Sequence, residues 1–279
     1  DELAYQSLSG PQTELMADFA EPMAARLQCA FMGWPQELAD TLLSWQKRNS
    51  QAVFAADRAA LSALAKEFER LIAQQLEMRR QRQASANEDV TSRLLHEKVN
   101  GKAMSDEEIA SILRNWTVGE VGTIAASIGI IAQFLAANPN LQSRIRQRPE
   151  LLWQANDEIL RLYNPLTDNR RRTTCPVQLS GKDIGTNQRI VINWVAANRD
   201  PEAFERADEF VLERDQSENL LYGAGLHVCP GEGLAKMELV VIMRAVLQHT
   251  EHLAFVENKK AEYAKYPASG YAKLPLALR

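Results

Sequence analysis

A cysteine closing a glycine-rich run is the arrangement in this chain best suited to chemistry. The run reads Tyr222-Gly-Ala-Gly-Leu-His-Val-Cys-Pro-Gly231. Gly223, Gly225 and Gly231 let a backbone turn tightly and come close to a flat ligand. Pro230 suits the first turn of a helix, so Cys229 is expected at or just before a helix N-terminus. Exposed amides and the helix dipole there favour the thiolate, the form that binds metal. Pro230 has no N–H, so the amides of Gly231 and Glu232 are the expected donors to sulfur. A buried, inert cysteine in a glycine loop is the competing reading, and Cys beside glycines does not by itself exclude it.

The other two cysteines, Cys29 and Cys175, lie far from Cys229 and from each other. Three scattered cysteines make neither a disulfide framework nor a zinc knuckle. A reducing, cytoplasmic setting is the simplest reading. The formal net charge is -4, without the basic excess of a nucleic-acid or membrane-surface binder. With 46% hydrophobic and 24% charged residues, the chain reads as an ordinary globular protein. The most apolar stretch, residues 124–137, includes Ser127, Gly129 and Gln133 and reads as too short to span a bilayer. No signal peptide stands at the start, which is Asp1.

The elements that position the cysteine are mostly helical. Apolar spacing predicts helices over residues 13–32 and 36–50, and a charged, Ala-rich stretch over 51–82 as one helix or two. A polar break at 83–88, a short helix at 89–97 and a loop through Asn100 and Gly101 follow. Ser105 and Glu108 have capping-box spacing, and a helix is expected from there to Ala137. Its glycines, Gly119, Gly122 and Gly129, each cost roughly 1 kcal/mol against Ala and call for a packing, kinking or ligand reason. Helices at 141–146 and 149–163 precede a small β region. Strands are expected at 176–179 and 189–193 around a turn at 180–187, then at 253–256 and 274–278. Residues 198–216 read as irregular and 234–249 as a buried helix.

The glycine run resembles the haem-binding signature of the cytochrome P-450 superfamily: an aromatic, then Gly-x-Gly-x-(His or Arg)-x-Cys-x-Gly. Tyr222, Gly223, Gly225, His227, Cys229 and Gly231 fall on it. Tyr222 replaces the usual Phe, which puts a hydroxyl close to the thiolate, and Lys236 replaces the usual Arg further on. The resemblance implies Cys229 as the ligand of a haem b iron, with Arg171 and His227 on the propionates. Glu158 and Arg161 are three apart on a predicted helix, a spacing that alone means an ordinary exposed ion pair. In the family such a Glu-x-x-Arg pair is locked by a later Arg. Arg214 falls at that place, so the resemblance implies a buried structural network of Glu158, Arg161 and Arg214.

The helix from Ser105 is similar to the family helix that crosses the oxygen-binding face of haem. That helix usually reads (Ala or Gly)-Gly-x-(Asp or Glu)-Thr, and Gly119, Glu120, Val121, Gly122 and Thr123 fall on it. Thr123 keeps the family threonine. Gly122 stands where the acid is usual, and Glu120 where a glycine is usual. Glu120 lies three residues before Thr123, so both can face one side. Proton delivery is therefore expected from Glu120, or from water over Gly122. The competing reading makes Glu120 a surface or substrate-contact residue.

The resemblance implies one mostly α domain with a minor β region over residues 1–279, bacterial in type and lacking the family's N-terminal portion. It further implies a soluble monooxygenase that inserts one oxygen atom from dioxygen into a small organic substrate. Electrons would come from a ferredoxin-type or flavin redox partner. A peroxide-driven haem-thiolate enzyme, favoured by the missing acid, and a non-catalytic haem-binding module are the alternatives.

Overall fold

Helix-period apolar patterns account for most of the chain, and the fold is mostly α with a minor β component. The structure, a computed structural model, describes residues 2–266 and 268–278. The chain runs through α1 (Glu2–Leu8), β1 (Gln12–Glu14), a π turn (Met16–Ala20), α2 (Glu21–Met32) and a 3-10 turn (Gln36–Leu38). Next come α3 (Ala39–Phe54), α4 (Arg58–Gln81), α5 (Val90–His96), β2 (Lys98–Val99), β3 (Lys102–Ala103) and α6 (Asp106–Ala137). Then follow α7 (Pro139–Gln147), α8 (Leu152–Leu162), β4 (Asp168–Arg172), β5 (Val177–Leu179), β6 (Lys182–Ile184), β7 (Arg189–Asn193) and α9 (Trp194–Ala197). The chain closes with α10 (Glu232–Gln248), β8 (Leu253–Phe255), β9 (Glu262–Tyr263), β10 (Tyr271–Lys273) and β11 (Pro275–Leu278).

Two compact units divide these elements. One is Met16–Ala125; the other comprises the chain up to Leu15 and from Ala126 on. α6 contributes residues to both. In the first unit, Trp34, Leu42, Trp45, Leu64, Phe68, Ile72, Leu76, Ile109 and Leu113 form a buried apolar cluster. The Trp45 ring lies 4.8 Å from that of Phe68, and its N–H donates to the Leu64 carbonyl at 2.9 Å. The buried indole thus keeps a partner for its one polar atom.

In the second unit the sheet order is β1-β11-β8, all antiparallel. This corrects the helix expected from residue 13. Thr13 pairs with Leu276 instead, and Pro22 opens α2 afresh in its first turn. The β region is also paired differently from the expectation. Val177–Leu179 pairs with Lys182–Ile184 across Ser180 and Gly181, whose φ values are +46° and +75°. A two-residue hairpin turn needs that backbone. Arg189–Asn193 pairs with Asp168–Arg172, a strand hidden in sequence by its three consecutive arginines. Asn100 and Gly101, expected as a loop, make the same kind of tight turn between β2 and β3, with φ of +52° and +77°.

α6 begins as the sequence predicts. The Ser105 amide donates to Glu108 Oε2 at 2.8 Å, and the Glu108 amide donates to Ser105 Oγ at 3.2 Å. By length and composition alone this 32-residue helix could cross a bilayer, although its apolar stretch over residues 124–137 is by itself too short. Most of that stretch is buried within the protein, as in a core helix. Packing does not demand glycine at either position: a Cβ on Gly122 would make only an ordinary 3.4 Å contact with the end of the Gln46 side chain, and one on Gly119 would meet nothing within 4 Å.

Replacing Ser105 by Ala removes one half of the capping box. The expected loss is about 1 kcal/mol, read as a lower midpoint in urea unfolding with an unchanged slope.

Candidate functional site

The second unit holds a buried carboxylate with several donors converging on it. Glu158 and Arg161, on successive turns of α8, both have fully buried side chains. Arg161 donates to Glu158 through Nε at 2.8 Å and Nη2 at 3.0 Å. Arg214 Nε donates to the same carboxylate at 2.9 Å, as do the Val211 amide at 3.0 Å and Gln216 Nε2 at 3.1 Å. Burial alone would push this carboxyl up; the donors from Arg161, Arg214, Val211 and Gln216 outweigh it and hold it below the ordinary range. The two guanidiniums spend their other N–H groups on backbone. Arg161 reaches the carbonyls of Asn198, Ala207 and Glu209, and Arg214 those of Glu205, Arg206 and Glu209. The Phe204 ring lies 4.9 Å from one and 5.8 Å from the other. Irregular backbone from 198 to 214 is thereby fixed without secondary structure.

From this network a relay of polar bonds leads to the cysteine. The Asn219 amide group donates to Gln216 Oε1 at 2.8 Å, and Asn219 Oδ1 accepts from the Leu221 N–H at 2.9 Å. Asn198 Oδ1 accepts from the Leu220 N–H at 2.7 Å. The Gly223 N–H donates to Leu220 at 3.0 Å, and the Cys229 N–H to the Tyr222 carbonyl at 2.8 Å, closing the loop. Gly223 and Gly225 adopt φ of +72° and +68°, a region that other residues enter only under strain. Cys229 lies three residues before α10, and the Glu232 N–H donates to its carbonyl at 3.3 Å. That amide, expected as a donor to sulfur, is therefore spent on the backbone. Gly231 caps the helix, its carbonyl accepting from Ala235 at 2.8 Å.

Tyr222 sits in a charged setting that its type alone does not announce. The Lys236 ammonium lies 5.2 Å from the centre of its ring. Lys236 in turn pairs with Asp157 at 3.2 Å and Glu232 at 2.8 Å. Burial, with Asp157, Glu232 and Cys229 nearby, pushes the phenol well above its ordinary value, so the hydroxyl stays protonated. Asp157, next to Glu158 on α8, had no signal in sequence beyond a charge on a helix.

Arg171 is half-buried on β4 and donates to the Arg170 carbonyl at 3.0 Å. His227 ends a 3-10 turn and is exposed. On either side of it Leu226 is fully exposed and Val228 is 45% exposed. A Cβ on Gly225 would meet nothing within 4 Å. A partly exposed cysteine, flanked by exposed apolar side chains on a loop with open space at its glycine, fits a broad apolar ligand carrying a metal.

The α6 segment singled out in sequence lies in the first unit. Thr123 Oγ1 donates to the Gly119 carbonyl at 2.6 Å and to the Glu120 carbonyl at 3.2 Å. The Glu120 carboxyl accepts from Trp116 Nε1, one turn back, and Trp116 stacks on Phe31 at 5.2 Å. Glu120 Oε1 is buried with no hydrogen-bond partner among the described residues. Burial drives this carboxyl up to about 7, against the opposing bond from Trp116. Glu120 and Thr123 thus share a turn, with the Thr123 hydroxyl bonded to the backbone carbonyl of Glu120 rather than to its carboxyl.

A helical fold whose glycine loop presents a cysteine ahead of a helix is the kind that holds a metal through a thiolate. The chain matches the cytochrome P450 family over residues 34–265. A probable cytochrome P450 127A1 of Sinorhizobium fredii is 28% identical over 83% of this chain and 54% of its own length. A biotin biosynthesis cytochrome P450 of Bacillus subtilis is 27% identical over 94% of this chain and 65% of its own. The chain therefore spans between half and two thirds of the length of these relatives. A solved structure of P450BioI, in complex with an acyl carrier protein bearing hexadec-9Z-enoic acid, superposes with a TM-score of 0.89. It is 25% identical and covers all of this chain and 72% of that one. The chain belongs to the cytochrome P450 family, whose members bind haem b.

Arg161→Leu removes one of two charges from a buried carboxylate. The expected cost is about 3–5 kcal/mol, measured by urea unfolding at neutral pH. Because the folded pKa of Glu158 is depressed, the wild-type contribution is full above the unfolded value of about 4.3. It is lost as pH falls through the folded value, so the variant shows a flatter acid limb.

Proposed function

We propose that the chain is the catalytic part of a haem-thiolate monooxygenase, with Cys229 Sγ as the iron ligand. It would insert one oxygen atom from dioxygen into a small organic substrate, taking electrons from a ferredoxin-type or flavin redox partner. The loop geometry carries this reading: two left-handed glycines, a bond from Cys229 N–H to Tyr222, and exposed apolar side chains beside a partly exposed cysteine. Bound haem would supply the reductive activation of dioxygen.

The chain's own residues do the rest. The Glu158 network holds the loop, so that Sγ is presented by a rigid backbone. Arg171 and His227 are the cations assigned to the propionates. Glu120 and Thr123 are assigned to the proton that oxygen chemistry consumes. A carboxyl near 7 holds a proton at the pH of the reaction and can give it up, as a general acid must. Its bond to Trp116 orients one oxygen and leaves Oε1 without a partner among the described residues. A water or a substrate hydroxyl is the natural occupant of that acceptor.

Gly122 gives one specific reason for a second reading, a peroxide-driven enzyme, because no acid stands at that position. The two readings differ on Glu120. With a reductase and dioxygen, the wild-type rate falls as pH rises through about 7, because the donor loses its proton. Glu120→Gln abolishes that limb and diverts electrons to hydrogen peroxide, while turnover driven by added peroxide is spared. Equal coupling in wild type and variant would remove Glu120 as the donor. Turnover by peroxide alone would favour the second reading.

A further inference from the structure

Two departures from the family signature, Tyr222 for Phe and Lys236 for Arg, meet in space. The ammonium of Lys236 lies 5.2 Å from the Tyr222 ring centre, within the range of a cation–π contact. It is held there by Asp157 from α8 at 3.2 Å and by Glu232 from the first turn of α10 at 2.8 Å. Burial works against its charge, but Glu232 and Asp157 keep it above its ordinary value, so it is fully charged at neutral pH. Asp157 is mostly shielded and Lys236 is about a quarter exposed, their side-chain exposures being 16% and 29%. The backbone of the same tyrosine accepts the Cys229 N–H. Lys236 is therefore placed by three partners rather than free in solvent.

We propose that Lys236 is a positioning residue for the thiolate: held by Asp157 and Glu232 over the Tyr222 ring, it sets the charge around Cys229 and so the reduction potential of the bound iron. This rests on Cys229 being the iron ligand. The sign follows from Coulomb's law. Reduction adds an electron, so a fixed positive charge nearby favours the reduced state. Removing Lys236 leaves two carboxylates facing the loop, which favours the oxidised state.

The test is redox titration of the haem-loaded protein. Lys236→Met is expected to lower the reduction potential, and Lys236→Arg, which keeps the charge, to restore most of it. Asp157→Asn is expected to raise it; this variant keeps the test open should Lys236→Met fail to take up haem. Tyr222→Phe is expected to leave the potential near that of the wild type. Unchanged potentials in Lys236→Met and Asp157→Asn overturn the proposal, as does a Tyr222→Phe shift larger than that of Lys236→Met. The low-spin ferric electron paramagnetic resonance spectrum of the same samples reports the ligand. A thiolate signature with unshifted potentials means that Lys236 does not tune the iron. A non-thiolate signature in the wild type means that the ligation reading itself has failed.

Discussion

One buried carboxylate, that of Glu158, organises the irregular segment that leads to the Cys229 loop. Left alone, a charge removed from water would cost several kcal/mol. Arg161, Arg214, Gln216 and the Val211 amide supply enough donors to make burial tolerable. Their remaining N–H groups bind the carbonyls of a segment that has almost no secondary structure. A helix bonds its own backbone and a strand bonds its neighbour's; in residues 198–214 local turns do part of this, and the two guanidiniums take the carbonyls of Asn198, Glu205, Arg206, Ala207 and Glu209. That arrangement, with the bonds of Asn198 to Leu220 and Cys229 to Tyr222, fixes the backbone leading to Cys229, as the proposed role of Cys229 as a metal ligand requires.

Much of this was legible in the sequence because it depends on local rules. The capping box at Ser105 and Glu108 is a fixed four-residue pattern, and it forms. The Cys229 loop was readable because positive φ demands glycine. What the sequence hid was non-local. Gln12–Glu14 is a strand only because Pro275–Leu278 lies beside it, and no pattern within fourteen residues of the start can announce that. β4 was masked because its alternation is carried by arginines rather than by apolar residues. Asp157 carried no signal, since its role exists only once Lys236 arrives from α10.

The α6 segment shows a different limit. Spacing placed Glu120 and Thr123 on one side of the helix, and both lie on the same turn. Spacing could not show that the carboxyl folds back to Trp116, or that its second oxygen has no partner among the described residues. Both depend on packing, since Trp116 is seated on Phe31, far back in sequence. They turn a residue out of pattern into a carboxyl whose protonation changes near neutrality.

The central claim is that Cys229 supplies a thiolate to haem iron, and the absorption spectrum of the reduced, carbon-monoxide-bound protein tests it most directly. The long-wavelength Soret band of thiolate ligation is expected in the wild type, and its loss in Cys229→Ala. A Soret band at the shorter wavelength of histidine-ligated haem, or a thiolate band that survives Cys229→Ala, would contradict it.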